Sequence, residues 1–208
     1  MKSSYVFPAL RRCALALALT AAAGLASAQS MHVVLDTSGW GSSSGWLDLQ
    51  FNPASVPAVA ASALVDHLSG FDGTSAPQLN GDVQAQAGGF RFANSTDWND
   101  LFHAVHLGGK LSFDVSFNGL PDPSPAAIPS LFSVSLYGAD GVSQLGHPDA
   151  DGSLLSLSWN PAAGGAGQVG VSVVDAGVAS VSPVPEPSAW LMLGAGLALL
   201  GVAKRRRA

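Results

Sequence analysis

Lys110-Leu111-Ser112-Phe113-Asp114-Val115-Ser116-Phe117-Asn118 is the stretch that decides the fold. Leu111, Phe113, Val115 and Phe117 fall on one side of an extended chain, and Ser112, Asp114 and Ser116 on the other. Successive side chains of a strand point to opposite faces, so this is a strand with one face on a core and one in solvent. A helix would scatter the same residues around its axis.

The period of two recurs on both sides of this stretch. Residues 32–36 and 46–51 precede it, joined by the Gly/Ser run 38–45, which reads as a hairpin loop. Residues 83–87 and 90–93 flank Gly88-Gly89, a two-residue hairpin signal. Residues 131–137, 154–159, 169–174 and 178–181 follow, punctuated by Ala139-Asp140-Gly141 and Asp149-Ala150-Asp151-Gly152. Residues 58–68 hold enough alanine for a helix but are flanked like a strand, and are read as one. Residues 120–129 carry four prolines and read as a loop. About nine short strands with such punctuation predict a single all-β domain over residues 29–182, an antiparallel β-sandwich or jelly roll.

The two ends are different in kind. In residues 1–28, Lys2, Arg11 and Arg12 lead into an apolar run that closes on Ala26-Ser27-Ala28, the small-residue cleavage pattern of a signal peptide, with Ala26 and Ala28 as the recognised positions. Cys13, the one cysteine, lies inside that segment, so the exported chain is expected to carry no disulfide. Residues 183–208 run from a proline-rich stretch through an uncharged Leu/Ala/Gly run to Lys204, Arg205, Arg206 and Arg207. The uncharged run 189–203 would reach only about 22 Å as a helix, at about 1.5 Å per residue. It is read as one short transmembrane helix stopped by the basic cluster, which stays on the cytoplasmic side.

Charge sharpens the division. The whole chain has a formal charge of −5, but between residues 29 and 182 two basic residues, Arg91 and Lys110, face thirteen aspartates, a formal charge of −11. Nucleic acid and anionic lipid repel such a body, so nucleic-acid binding is excluded and the membrane is met only through the tail, in passing.

Pro185-Glu186-Pro187, followed by the Leu/Gly-rich run and Arg205-Arg206-Arg207, resembles the PEP-CTERM sorting signal of Gram-negative bacteria. The resemblance implies an inner-membrane-anchored precursor, a signal peptidase and an exosortase-type protease as partners, and cleavage near the Pro-Glu-Pro. It further implies delivery to the cell envelope, the surface or an exopolysaccharide matrix. The opening of the body, from His32 to Pro53, and Phe132 to Tyr137 are similar to a body type that recurs among such proteins. No activity follows from that likeness.

Few residues of the body suggest chemistry. Gly41-Ser42-Ser43-Ser44-Gly45 matches the nucleophile-elbow spacing around Ser43, but the elbow needs a helix after it and a strand follows here. His103 and His106 would share a face on a helix and point to opposite faces on a strand, and no third ligand accompanies them. Asp149, Asp151 and Ser153 begin like a calcium loop, but Leu154 and Asn160 stand where that loop needs Gly and Glu. Calcium at Asp149 and Asp151 is therefore the weak metal reading, and no cofactor is expected. Asp97, Asp100 and Asp114 could supply paired carboxylates for glycoside hydrolysis, though loop aspartates more often close turns. Of Trp40, Trp46, Trp98 and Trp159, Trp40 sits in the Gly/Ser run where burial is hardest and is the candidate for stacking on a sugar. The sequence thus predicts a non-catalytic surface or matrix domain; the alternatives are a carbohydrate-binding module attached to exopolysaccharide, with or without calcium, and then a secreted hydrolase.

Overall fold

The computed structural model describes residues 30–184, apart from 123, 125–126 and 163–166, together with residue 194. Gln29–Val184 forms one compact unit. The predicted signal peptide and the C-terminal transmembrane helix lie outside the described residues. Among those described, no helix is long and apolar enough to cross a membrane.

Twelve strands form two six-stranded antiparallel sheets. Sheet A holds β1 (Ser30–Asp36), β3 (Ala61–Ser69), β5 (Val83–Gln86), β6 (Gly89–Ala93), β8 (Lys110–Gly119) and β12 (Ala179–Pro183), in the order β12-β1-β8-β3-β6-β5. Sheet B holds β2 (Ser44–Pro53), β4 (Gln78–Asn80), β7 (Asp100–His106), β9 (Ser130–Tyr137), β10 (Leu155–Asn160) and β11 (Gln168–Val173), in the order β11-β10-β9-β2-β7-β4. The all-β sandwich expected from the sequence is the fold observed. Residues 58–68 supply β3, as a strand.

The deciding stretch is β8, at the middle of sheet A between β1 and β3. Its apolar side, Leu111, Phe113, Val115 and Phe117, is buried against the inward residues of sheet B, among them Leu47, Leu49 and Phe51 of β2 and Phe132, Val134 and Leu136 of β9. Phe132 touches the rings of Phe92, Phe113 and Phe117 of the opposite sheet, at centroid distances of 5.8, 6.5 and 6.2 Å. Each such side chain taken from water contributes about 1.5–3 kcal/mol, and these contacts across the layers hold the sandwich shut.

Three sequence expectations change in detail. Residues 38–45 are not a hairpin loop: β1 and β2 lie in opposite sheets, and the run carries the chain between layers. Buried Thr37 fixes the start of that crossing, its hydroxyl donating to the Gly109 carbonyl at 2.7 Å and accepting from the Gly108 N–H at 3.1 Å. The β5–β6 turn is Ala87-Gly88 rather than Gly88-Gly89, since Gln86 pairs with Gly89. Gly88 takes the left-handed φ of +82°, while Gly89 lets β6 approach β3, where a Cβ would collide with the Val65 carbonyl oxygen. Twelve strands stand where nine alternating runs and the 58–68 strand were expected, the additions being β4 and β7.

The pairing of β1 with β12 brings the two ends of the body together. Met31 lies opposite Pro183, and the Val184 N–H donates to the Ser30 carbonyl at 2.9 Å.

Candidate functional site

Alternation assigns an outer face to each sheet, and the polar chemistry gathers on these two faces. On sheet B, Trp46, Asp48, Gln50 and Asn52 of β2 point outward, because Leu47, Leu49 and Phe51 point into the core. Register places Phe102 and Asp100 of β7 opposite Asp48 and Gln50, and Tyr137 and Ser135 of β9 opposite Trp46 and Asp48. Trp46 and Phe102 stack with centroids 4.9 Å apart and planes 2° from parallel, and Tyr137 meets Phe102 edge-on at 5.7 Å. All three rings are half-buried.

Next to this aromatic group lie two carboxyls, each with one oxygen that lacks a partner. Asp48 and Asp100 are 9% and 5% exposed, and Oδ1 of each is buried with no hydrogen bond. Oδ2 of Asp48 accepts from the Gln50 amide at 2.9 Å. Burial pushes the Asp48 carboxyl up to about 6, the Gln50 hydrogen bond opposes that rise, and the charge of Asp100 adds to it. A face with stacked, half-buried rings is equipped to meet a ligand that offers C–H surface.

On sheet A, His32 of β1, Asp114 of β8 and Asp66 of β3 stand in one row across three strands. His32 Nδ1 lies 2.6 Å from Asp114 Oδ1. His67 follows Asp66 at a β-bulge, with a left-handed φ of +52°, and its Nδ1 lies 2.9 Å from Asp66 Oδ1 and 3.2 Å from Asp114 Oδ2. The hydrogen bond to Asp66, then the charges of Asp66 and Asp114, raise the His67 pKa.

The residues singled out from sequence are dispersed. His103 and His106 take opposite faces of β7. His103 is buried edge-on to Phe71 and Phe90 and donates from Nδ1 to the Ala104 carbonyl at 2.9 Å, while His106 is exposed. Ser43 belongs to the crossing segment and precedes a strand. Asp149 accepts from the N–H groups of Asp151 and Ser153, at 3.0 and 2.9 Å, and closes its own turn. Asp151 is exposed, and so is Asp97. Trp159 is core and Trp98 is 61% exposed, whereas Trp40, expected to be the exposed ring, is half-buried against the core. Apart from these, Asn94 is a buried clamp, donating to the Val59 carbonyl at 2.7 Å and the Ser130 hydroxyl at 2.8 Å. Sequence reasoning passed over Asp48, Tyr137, Asp66 and His67, whose partners lie tens of residues away and become visible only through strand register. An open groove of about 600 Å3 lies near Arg91, Asn94 and Asn118, and no carboxylate or histidine lines it.

Pro185, Glu186, Pro187 and the cluster Lys204 to Arg207 lie outside the described residues, as do Ala26 and Ala28. The family comparison reaches the tail by another route: residues 183–207 match the PEP-CTERM protein-sorting motif. The tail carries a PEP-CTERM sorting signal. The PEP-CTERM signal makes the chain an exported protein of the cell envelope or surface, with an exosortase as its processing partner. The motif starts within β12, so the sorting segment follows the body without a spacer. No curated protein and no solved structure matches the chain.

Proposed function

We propose that the sorting signal delivers a non-catalytic binding domain to the exopolysaccharide matrix, and that the outer face of sheet B is its saccharide-binding surface. The observation that carries this reading is the Trp46–Phe102 stack, placed on the outward side of a sheet with Tyr137 edge-on to it. Aromatic faces suit the C–H surface of a sugar ring. The destination implied by the signal is rich in that ligand.

The test is affinity electrophoresis of the secreted protein through gels containing exopolysaccharide. Trp46→Ala and Tyr137→Ala should each weaken retardation about tenfold, the equivalent of about 1.4 kcal/mol, with Trp40→Ala close to wild type. Unretarded wild-type protein would sink the saccharide reading.

One observation favours a second reading. A carboxyl raised to about 6 beside another carboxylate is the pairing glycoside hydrolysis uses, with Asp48 as acid and Asp100 as base. Release of reducing ends by wild type, abolished in Asp48→Asn, would replace the binding reading with this one. Delivery is tested separately: alanine at Pro185, Glu186 and Pro187 should hold the chain in the inner-membrane fraction, and unchanged release would remove the exosortase step.

A further inference from the structure

The His–Asp row on sheet A is remote in chemistry and in position from the aromatic face of sheet B. Asp66 and Asp114 are paired directly opposite one another on adjacent strands, an arrangement that ordinarily destabilises a sheet. The usual remedy is a lysine or arginine, and the body has one of each; neither forms an ion pair with these carboxylates among the described residues. Two imidazoles serve instead. His67 turns back over the pair from a left-handed conformation, and one ligand atom each from Asp66, His67 and Asp114 lies within 4.8 Å of the other two.

The geometry points to a divalent transition-metal site, of the zinc class, built by Asp66, His67 and Asp114, with His32 as a positioning residue on Asp114. Two carboxylates match the charge of a divalent cation, and an imidazole nitrogen beside them favours zinc over calcium, which takes oxygen ligands. Three protein ligands leave the remaining positions to solvent or a ligand. His32 acts on the second oxygen of Asp114, as the outer partners of metal-ligating carboxylates do. The three ligands come from the two adjacent strands β3 and β8, and His32 ties in β1, so metal would clamp the centre of sheet A.

Isothermal titration with zinc chloride, and thermal melting with and without it, test the site on the secreted protein after chelator treatment. Zinc should bind one per chain and raise the melting temperature, and calcium at the same concentration should do neither. His67→Ala and Asp114→Asn should abolish the zinc-dependent shift. His32→Ala should weaken zinc binding about 10–100-fold without abolishing it, a graded effect that a merely structural role would not produce. His67→Gly controls for folding: it relieves the left-handed residue, so it should still fold cooperatively without metal and still ignore zinc. Absence of zinc binding to wild type, or a zinc response retained in both His67→Gly and Asp114→Asn, overturns the assignment.

Discussion

The two outer faces of this sandwich hold carboxylates in the same kind of place, on strands next to the centre of a sheet, and treat them in opposite ways. On sheet A, Asp114 has a histidine against each oxygen. On sheet B, Asp48 keeps one oxygen on Gln50 and the other on nothing, and Asp100 likewise leaves an oxygen buried and bare. Stability alone explains the first arrangement, because each charge meets a partner. It does not explain the second, where unmet acceptors cost free energy that the fold must offset elsewhere. The comparison teaches that the partner, more than depth, decides whether a polar group in a sheet is structural or held for another purpose.

The core beneath both faces is common, so its loss should not distinguish them. Phe132→Ala empties the point where four phenylalanine rings meet and should cost about 3–5 kcal/mol in urea unfolding, irrespective of pH or metal. A loss confined to one pH range would mean that a face, rather than the core, carries the stability.

Asp48→Asn probes sheet B next. Its folded pKa lies above the unfolded value, so its stabilising contribution is present below about pH 4 and is lost as pH rises to about 6. At about 1.36 kcal/mol per pKa unit, the asparagine variant should be more stable than wild type by about 2–3 kcal/mol at pH 7.5 and equal to it near pH 4. Equal stability at both pH values would erase the contrast between the faces.

Sheet A should respond with the reverse slope. The raised His67 pKa contributes stability present below the unfolded value near 6.5 and lost as pH rises through the folded one. In the presence of chelator, Asp66→Asn should lower the melting temperature at pH 6, and that loss should disappear as pH rises through the folded value. The smallest effect belongs to Trp98→Ala, which removes an exposed ring from neither face and should stay within about 0.5 kcal/mol.

The sandwich was legible because β8 states its two faces outright, and β1, β2 and β9 repeat the statement. β7 was not, since its outward Phe102 and Ala104 are as apolar as its inward Leu101 and Val105, which hides the period of two. The three polar residues of β4 give no pattern at all. Both faces stayed illegible for a different reason. His32 meets Asp114 across 82 positions of sequence, and Asp48 meets Phe102 only through the β2–β7 register. Alternation tells which side of a strand a residue takes, but not which strand lies alongside. The half-buried Trp40 is a similar case: a Gly/Ser run suggests exposure, yet the crossing between sheets presses its ring onto the core.

The hydrogen bond from Val184 to Ser30 has a mechanical consequence. β12 is the edge strand of sheet A, and its last residue pairs with the start of β1. Any load passed along the chain from beyond Val184 therefore enters the body through the edge pairing of β12 with β1.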